Sequence, residues 1–186
     1  PAHVVINHST VSPAETLEAA EIVKDRQAAF LDAPFTGSRD AAGRGELIYY
    51  IGGDEEVLQI ARPVLVATSQ KIIPIGAIGH ASAMKVATNV ISATQIAALT
   101  EALALLDRHG VDLTKLSLAL ENNAARSGVI DMKLPGILSG DFETRFSLKN
   151  MFKDIQIALA MAEDKDVELP TASAFAGMAM AGLQRG

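Results

Sequence analysis

The chain contains no cysteine and no tryptophan, and aromatic residues make up only 4% of it. Without thiols it can form neither disulfides nor thiolate-based metal or nucleophile sites, and that fits a reducing, cytoplasmic setting. Positive charge is also scarce. Sixteen Lys and Arg against 22 Asp and Glu leave a net charge of −6. Nucleic acid and anionic membrane surfaces both require concentrated positive charge, so neither is expected as a partner. The four histidines (His3, His8, His80, His109) never fall at ligand spacing, and no metal site is predicted. There is no Gly-x-Ser-x-Gly elbow, which excludes the usual serine-hydrolase arrangement. The dinucleotide fingerprint is missing too: Gly43-x-Gly45 lacks the third glycine and follows an Ala/Arg-rich loop where a strand should stand. The start, PAHVVINHST, has no basic residues followed by an apolar core, as a signal peptide would. It also lacks an initiator methionine and opens almost directly on a strand, so the chain is expected to be a piece of a longer protein.

What the chain does have is apolar content, at 49% of 186 residues, enough to bury a real core. Val4-Val5-Ile6 reads as a short buried strand. Ser12-Pro13-Ala14-Glu15 combines a capping box with proline at the first helical position and predicts a helix to about Arg26. Ala29 to Pro34 and Leu47 to Ile51 read as strands. The first of these ends in Phe35-Thr36-Gly37-Ser38, and Gly43-Arg44-Gly45 is expected to form a loop. Asp54 is placed to cap a helix through about Ala67, with Pro63 positioned to kink or shorten it. Lys71 to Ile75 is a last strand. After Gly79 every segment is helical. Asp112 is expected to cap a helix from Leu113 to about Asn123. Residues 124–141, broken by glycine and Pro135, predict short turns of helix. Ser147 to about Asp164 and a final Ala/Met-rich segment opened by Pro170 complete the pattern. The expected class is α/β followed by all-α. Residues 1–77 form the α/β part, and residues 78–186 comprise a long helix and a helical domain. The apolar last helix (Ala172, Ala174, Ala176, Met178, Met180) predicts a homo-oligomer, dimer or tetramer.

The longest uninterrupted helical pattern runs from Gly79 to Gly110. Its second half carries Leu99, Leu103 and Leu106, an ordinary amphipathic core face. In its first half Ser82, Lys85, Asn89 and Ser92 recur at spacings of three and four and share one side, surrounded by small and apolar residues. Helix statistics alone read Lys85 as a solvated side chain that snorkels to water. A membrane span is disfavoured by seven polar residues between Ala81 and Leu99. Elsewhere, Asp32-Ala33-Pro34-Phe35-Thr36-Gly37 ends a strand in a hydroxyl residue and glycine, a setting whose backbone N–H groups suit a small carboxylate. Taken singly, this stretch reads more readily as an ordinary strand-to-loop junction, and Lys153-Asp154 can be a simple surface pair.

Four stretches together resemble the β-hydroxyacid dehydrogenase family: Ser9-Thr10-Val11-Ser12-Pro13, Asp32 to Gly37, Gly79 to Asn89 with its Lys-x-x-x-Asn, and Phe146 to Ala158 with Lys153-Asp154. The family includes 3-hydroxyisobutyrate dehydrogenase, tartronate-semialdehyde reductase and the glyoxylate/succinic-semialdehyde reductases. The resemblance implies the C-terminal part of a Rossmann-type domain, a long inter-domain helix and a helical domain. It implies hydride transfer between NAD or NADP and a small carboxylate substrate, with Lys85 catalytic and Asn89 orienting substrate and lysine. It further implies Thr36, Gly37 and Ser38 at the substrate, and Thr10, Lys153 and Asp154 at the cofactor. Thr36 stands where the family usually has serine, and Ser38 where many members have a second glycine. The chain alone, without the glycine-rich half, is expected to be inactive. The competing reading is a non-catalytic helical oligomerisation module with the long helix as its seam. Lys85 and Asn89 separate the two, because a seam has no use for an ammonium.

Overall fold

The computed structural model describes residues 3–185. Within them the chain divides into two compact units. One comprises the chain up to Asn89 together with Lys153–Glu168, and the other Val90–Phe152 with the segment from Leu169 onward.

The first unit is α/β. Strand β1 (Val4–Asn7) lies parallel to β2 (Ala29–Asp32), in register from Val4 opposite Ala29 to Asn7 opposite Asp32. Parallel neighbours need a crossover, supplied by α1 (Pro13–Asp25). The expected capping box opens that helix. The Glu15 amide donates to Ser12 Oγ (3.2 Å) and the Ser12 amide donates to Glu15 Oε2 (2.8 Å). These bonds to Ser12 hold the Glu15 carboxyl below the usual carboxylate range.

The segment after β2 differs from the expected single long strand and loop. The chain turns at the buried Pro34 and forms β3 (Phe35–Thr36), antiparallel to β4 (Leu47–Gly52), with Thr36 opposite Ile48. A short helix, α2 (Arg39–Gly43), occupies the predicted Ala/Arg-rich loop, because Ser38 Oγ accepts from the Ala41 amide and starts a turn. Helix α3 (Glu55–Val66) leads to β5 (Ser69–Gly76), parallel to β4. Pro63 does not end α3, and Asp54 stands at its N-cap without a side-chain cap bond. Leu31, Ile51, Leu58 and Leu65 form the core under this sheet.

Helix α4 (His80–Arg108) is the long helix expected from the sequence, about 44 Å at 1.5 Å per residue. It is long and apolar enough to cross a membrane by length and composition. Its buried polar residues, Ser82 and Asn89, are nevertheless bonded to protein partners.

In the second unit Leu99 and Leu103 of α4 pack with Leu134 of α6 (Gly128–Ser139) and Leu116 of α5 (Lys115–Leu120). Two expectations are corrected here. Asp112 does not cap a helix at Leu113. Its Oδ1 accepts from the Thr114 amide (3.0 Å) and hydroxyl (2.7 Å), an Asx turn that delays the helix start. The predicted broken turns are instead one 12-residue helix, α6, running through Pro135. Ser127 caps it, and Gly140 ends it in the left-handed region at φ 70°. Helices α7 (Leu148–Glu163) and α8 (Pro170–Leu183) follow as expected.

Candidate active site

The polar stripe on the first turns of α4 meets two buried carboxylates, both within the first unit. Asp154, on α7, is 1% exposed. Asn89 Nδ2 donates to its Oδ2 at 2.6 Å. Lys153 Nζ stands 2.8 Å from its Oδ1 as an ion pair, without the directionality of a hydrogen bond. The same Lys153 ammonium donates to the Thr10 carbonyl at 2.5 Å. Asn89, Asp154, Lys153 and Thr10 therefore form one connected group, although 143 residues separate Thr10 from Lys153.

Lys85 lies one turn before Asn89 on the same side of α4. Burial pushes its ammonium below the usual lysine range, and the nearby Asp154 carboxylate pulls it part of the way back. Lys85 is partly exposed, as a lysine whose stem is buried and whose head reaches water would be. It is half-buried among the small residues of α4, with Ala81 and Val86 closed off from solvent. A desolvated amine beside a carboxylate can hold or release a proton closer to neutrality than a free lysine can.

Thr36 ends β3, and Gly37 and Ser38 connect it to α2. Gly37 has φ 142°, and a Cβ there would meet Leu47 Cδ2 at 2.8 Å, so this bend has room and backbone freedom only for glycine. The Ser38 hydroxyl accepts from Ala41 N (3.1 Å) as the cap of α2, so its first task is to shape the bend. These three residues connect to the Lys85 group through a residue to which the sequence reading gave no role. Asp32, four residues before Thr36, is fully buried. Its Oδ1 accepts from Ser82 Oγ (2.8 Å), and its Oδ2 from the amides of Gly79 and Ser82 (both 3.0 Å). Thr16 on α1, also missed from the sequence, is fully buried with its hydroxyl 2.9 Å from that of Ser82. The available signal was an ionisable residue closing an apolar strand, but its partners lie 47 and 50 residues away. The described residues hold no cluster of three or more His, Asp or Glu side chains able to bind a metal.

Known proteins share both the sequence pattern and the architecture. Residues 79–186 match the family described as NAD-binding of NADP-dependent 3-hydroxyisobutyrate dehydrogenase, and residues 1–76 match the NAD binding domain of 6-phosphogluconate dehydrogenase. The chain is 30% identical over 169 residues to the chloroplastic glyoxylate/succinic semialdehyde reductase 2 of Arabidopsis thaliana, covering 91% of this chain and 47% of that protein. It is also 30% identical over 166 residues to the 2-hydroxy-3-oxopropionate reductase of Escherichia coli (strain K12), covering 89% of this chain and 57% of that one. It thus spans about half the length of these curated relatives. The crystal structure of a 3-hydroxyisobutyrate dehydrogenase from Salmonella typhimurium superposes with a TM-score of 0.93 at 27% identity, over all of this chain and 66% of that one. With family models matching on both sides of residue 78 and a glyoxylate/succinic semialdehyde reductase aligned along nine-tenths of its length, the chain belongs to the β-hydroxyacid dehydrogenase family.

Proposed function

We propose that the protein carrying this sequence is an oxidoreductase. It moves a hydride between a nicotinamide cofactor, NAD or NADP, and a small β-hydroxyacid or the matching semialdehyde or 2-oxoacid, with Lys85 as general acid and base. The observation that carries this reading is the buried Asn89–Asp154 pair, which sits one helical turn from a desolvated lysine. A packing seam gives no reason to bury a carboxylate between a carboxamide and an ammonium, because each such group costs desolvation.

The residues fit a bound nicotinamide in their donor and acceptor types. Asp154 Oδ1 is buried and accepts no directional hydrogen bond from the described residues. The Thr10 carbonyl and Lys153 ammonium lie beside it. When bound, the cofactor supplies or accepts the hydride. Everything else in the step falls to this chain's residues. In reduction the carbonyl carbon gains the hydride, and its oxygen takes a proton from the Lys85 ammonium, whose charge also stabilises the developing oxyanion. In oxidation the neutral amine takes the hydroxyl proton. Asn89 is held by Asp154 through its amide nitrogen, which leaves its oxygen free to accept from the substrate or from Lys85. The strand end at Thr36, Gly37 and Ser38, with its hydroxyls, is the proposed place for the substrate carboxylate.

The test is Lys85→Ala in the full-length protein. The expected result is a fall in kcat of about 10²–10⁴-fold with cofactor affinity near wild type, measured by steady-state kinetics and by fluorescence titration of the reduced cofactor. A near-normal kcat overturns the reading.

A further inference from the structure

Asp32 is a fully buried carboxylate with no cation paired to it among the described residues. A buried charge of that kind is tolerable only where hydrogen bonds replace its hydration. Here three donors do so, two of them backbone amides at the start of α4. The carboxylate therefore fills the N-terminus of the helix that carries Lys85, where the helix dipole favours negative charge. The cap comes from a different element, the end of β2, across a separation of about 50 residues.

Two further features tighten this joint. Ser82 Oγ, which donates to Asp32, lies 2.9 Å from the Thr16 hydroxyl of α1, whose one proton goes either to Ser82 Oγ or to the Ser12 carbonyl (3.0 Å), so α1, β2 and α4 meet at one polar cluster. Gly52, opposite Asp32 in the sheet, lies so close that a Cβ there would stand 2.6 Å from the Ala77 carbonyl oxygen and 3.2 Å from Asp32 Oδ2. The end of β4, the carboxylate and the turn before α4 are in contact with no room for a side chain.

We propose that Asp32 is a positioning residue for Lys85: by capping α4 from the end of β2, it fixes the helix that carries the ammonium relative to the strand end leading into Thr36 and Gly37. Ser82 is three residues before Lys85 and Asp32 four residues before Thr36, so the joint lies within one turn of the acid–base group and one short bend of the proposed carboxylate site. The proposal rests on the reading of Lys85 as the acid–base group.

The experiment compares Asp32→Ala, Asp32→Asn and Ser82→Ala in the full-length protein. In the Asp32→Asn variant the new side-chain amide can accept from the Gly79 and Ser82 amides through its oxygen and donate to Ser82 Oγ through its nitrogen, so the joint survives without the charge. Two readouts are taken: kcat with cofactor affinity, and titration of Lys85 followed by NMR of its isotopically methylated amine. The second does not depend on turnover. Asp32→Ala is expected to lower kcat by about tenfold to a hundredfold, the scale of a small misplacement of a reacting group, and to return the Lys85 titration toward that of an ordinary lysine. Cofactor affinity should change less than about twofold on the same reasoning. Asp32→Asn should recover most of kcat, and Ser82→Ala should fall between. If Asp32→Ala does not fold, the Asp32→Asn and Ser82→Ala variants carry the test, and wild-type kcat and titration in Ser82→Ala then overturn the proposal. A purely structural Asp32 would lower the melting temperature while leaving the Lys85 titration and the kcat of folded protein unchanged, and that result also overturns it. The failure of the underlying reading is distinct. In that case Lys85→Ala retains its kcat while Asp32→Ala still moves the Lys85 titration.

Discussion

The two halves of α4 are one helix under two different regimes. From His80 to Asn89 its buried side includes Ser82 and Asn89, each bonded to a carboxylate from another element. From Leu99 to Leu103 the buried side is leucine, packed on Leu134 without a polar atom. The polar half is specific and costly: every buried donor or acceptor there needs a named partner at a fixed distance, and losing one leaves another unpaired. The apolar half is stable and tolerant, because packing is non-directional and scales with area. One helix can therefore anchor its fold at one end and hold the proposed acid–base group at the other.

Truncation at a buried leucine offers the most drastic way to test that division. Leu103→Ala removes a side chain buried among Leu99, Leu134 and their neighbours. It should cost about 2–5 kcal/mol, the range for burying an alanine where leucine stood, read as a lower urea midpoint. The kcat of the folded protein should stay near wild type. A large kcat loss at unchanged stability would break the comparison.

A smaller effect, and one confined to the polar half, is expected from Asp154→Asn. The carboxylate is the charge that pulls the Lys85 pKa back up against burial. Without it the folded-state pKa falls further, so Lys85 loses its proton at lower pH. On the proposed mechanism carbonyl reduction needs the ammonium, and its rate declines as pH rises through that pKa. The alkaline limb of the kcat profile should therefore move to lower pH, while the oxidation direction, which needs the neutral amine, should keep its activity to lower pH than in wild type. An unmoved limb in both directions would show that Asp154 does not act on Lys85 electrostatically.

The same contrast explains what was legible in the sequence. The capping box at Ser12 and Glu15 and the length of α4 are written in neighbouring residues, and local signals of this kind read directly. Lys85 and Asn89 were visible as a pair because a spacing of four places them on one side of a helix. The two-residue β3 was not visible, since only its pairing with Tyr49 and Ile48 makes it a strand. Helix α6 was misread because Pro135 and Gly136 outweighed the Ser127 cap and the Gly140 terminator, which were both in view. Asp112 was misread as a cap because an Asx turn and an N-cap begin with the same residue types. Asp32 illustrates the limit of reading a sequence. Its role depends on amides in another element, and no local pattern records a partner 47 residues away.

The cap that was overlooked supplies the mildest test, placed in the second unit where little chemistry is expected. Ser127 Oγ accepts from the Ile130 amide (3.3 Å) and donates to Gln95 Oε1 of α4 (2.9 Å). Ser127→Ala removes both bonds. It should cost about 1 kcal/mol, the usual penalty for losing a serine cap, seen as a small fall in the urea midpoint. Ser127→Asp keeps an acceptor for the Ile130 amide but cannot donate to Gln95, so it should recover the helix-start part of the loss and leave the rest. If the Ala and Asp variants are equally destabilised, the bond to Gln95 dominates and the cap contributes little. If the Asp variant equals wild type, the cap is the whole effect. In either case kcat should not change, because neither bond reaches the half of α4 that holds Lys85. A change in kcat here would show that the apolar half of the helix governs the position of the polar half, and the division between them would have to be redrawn.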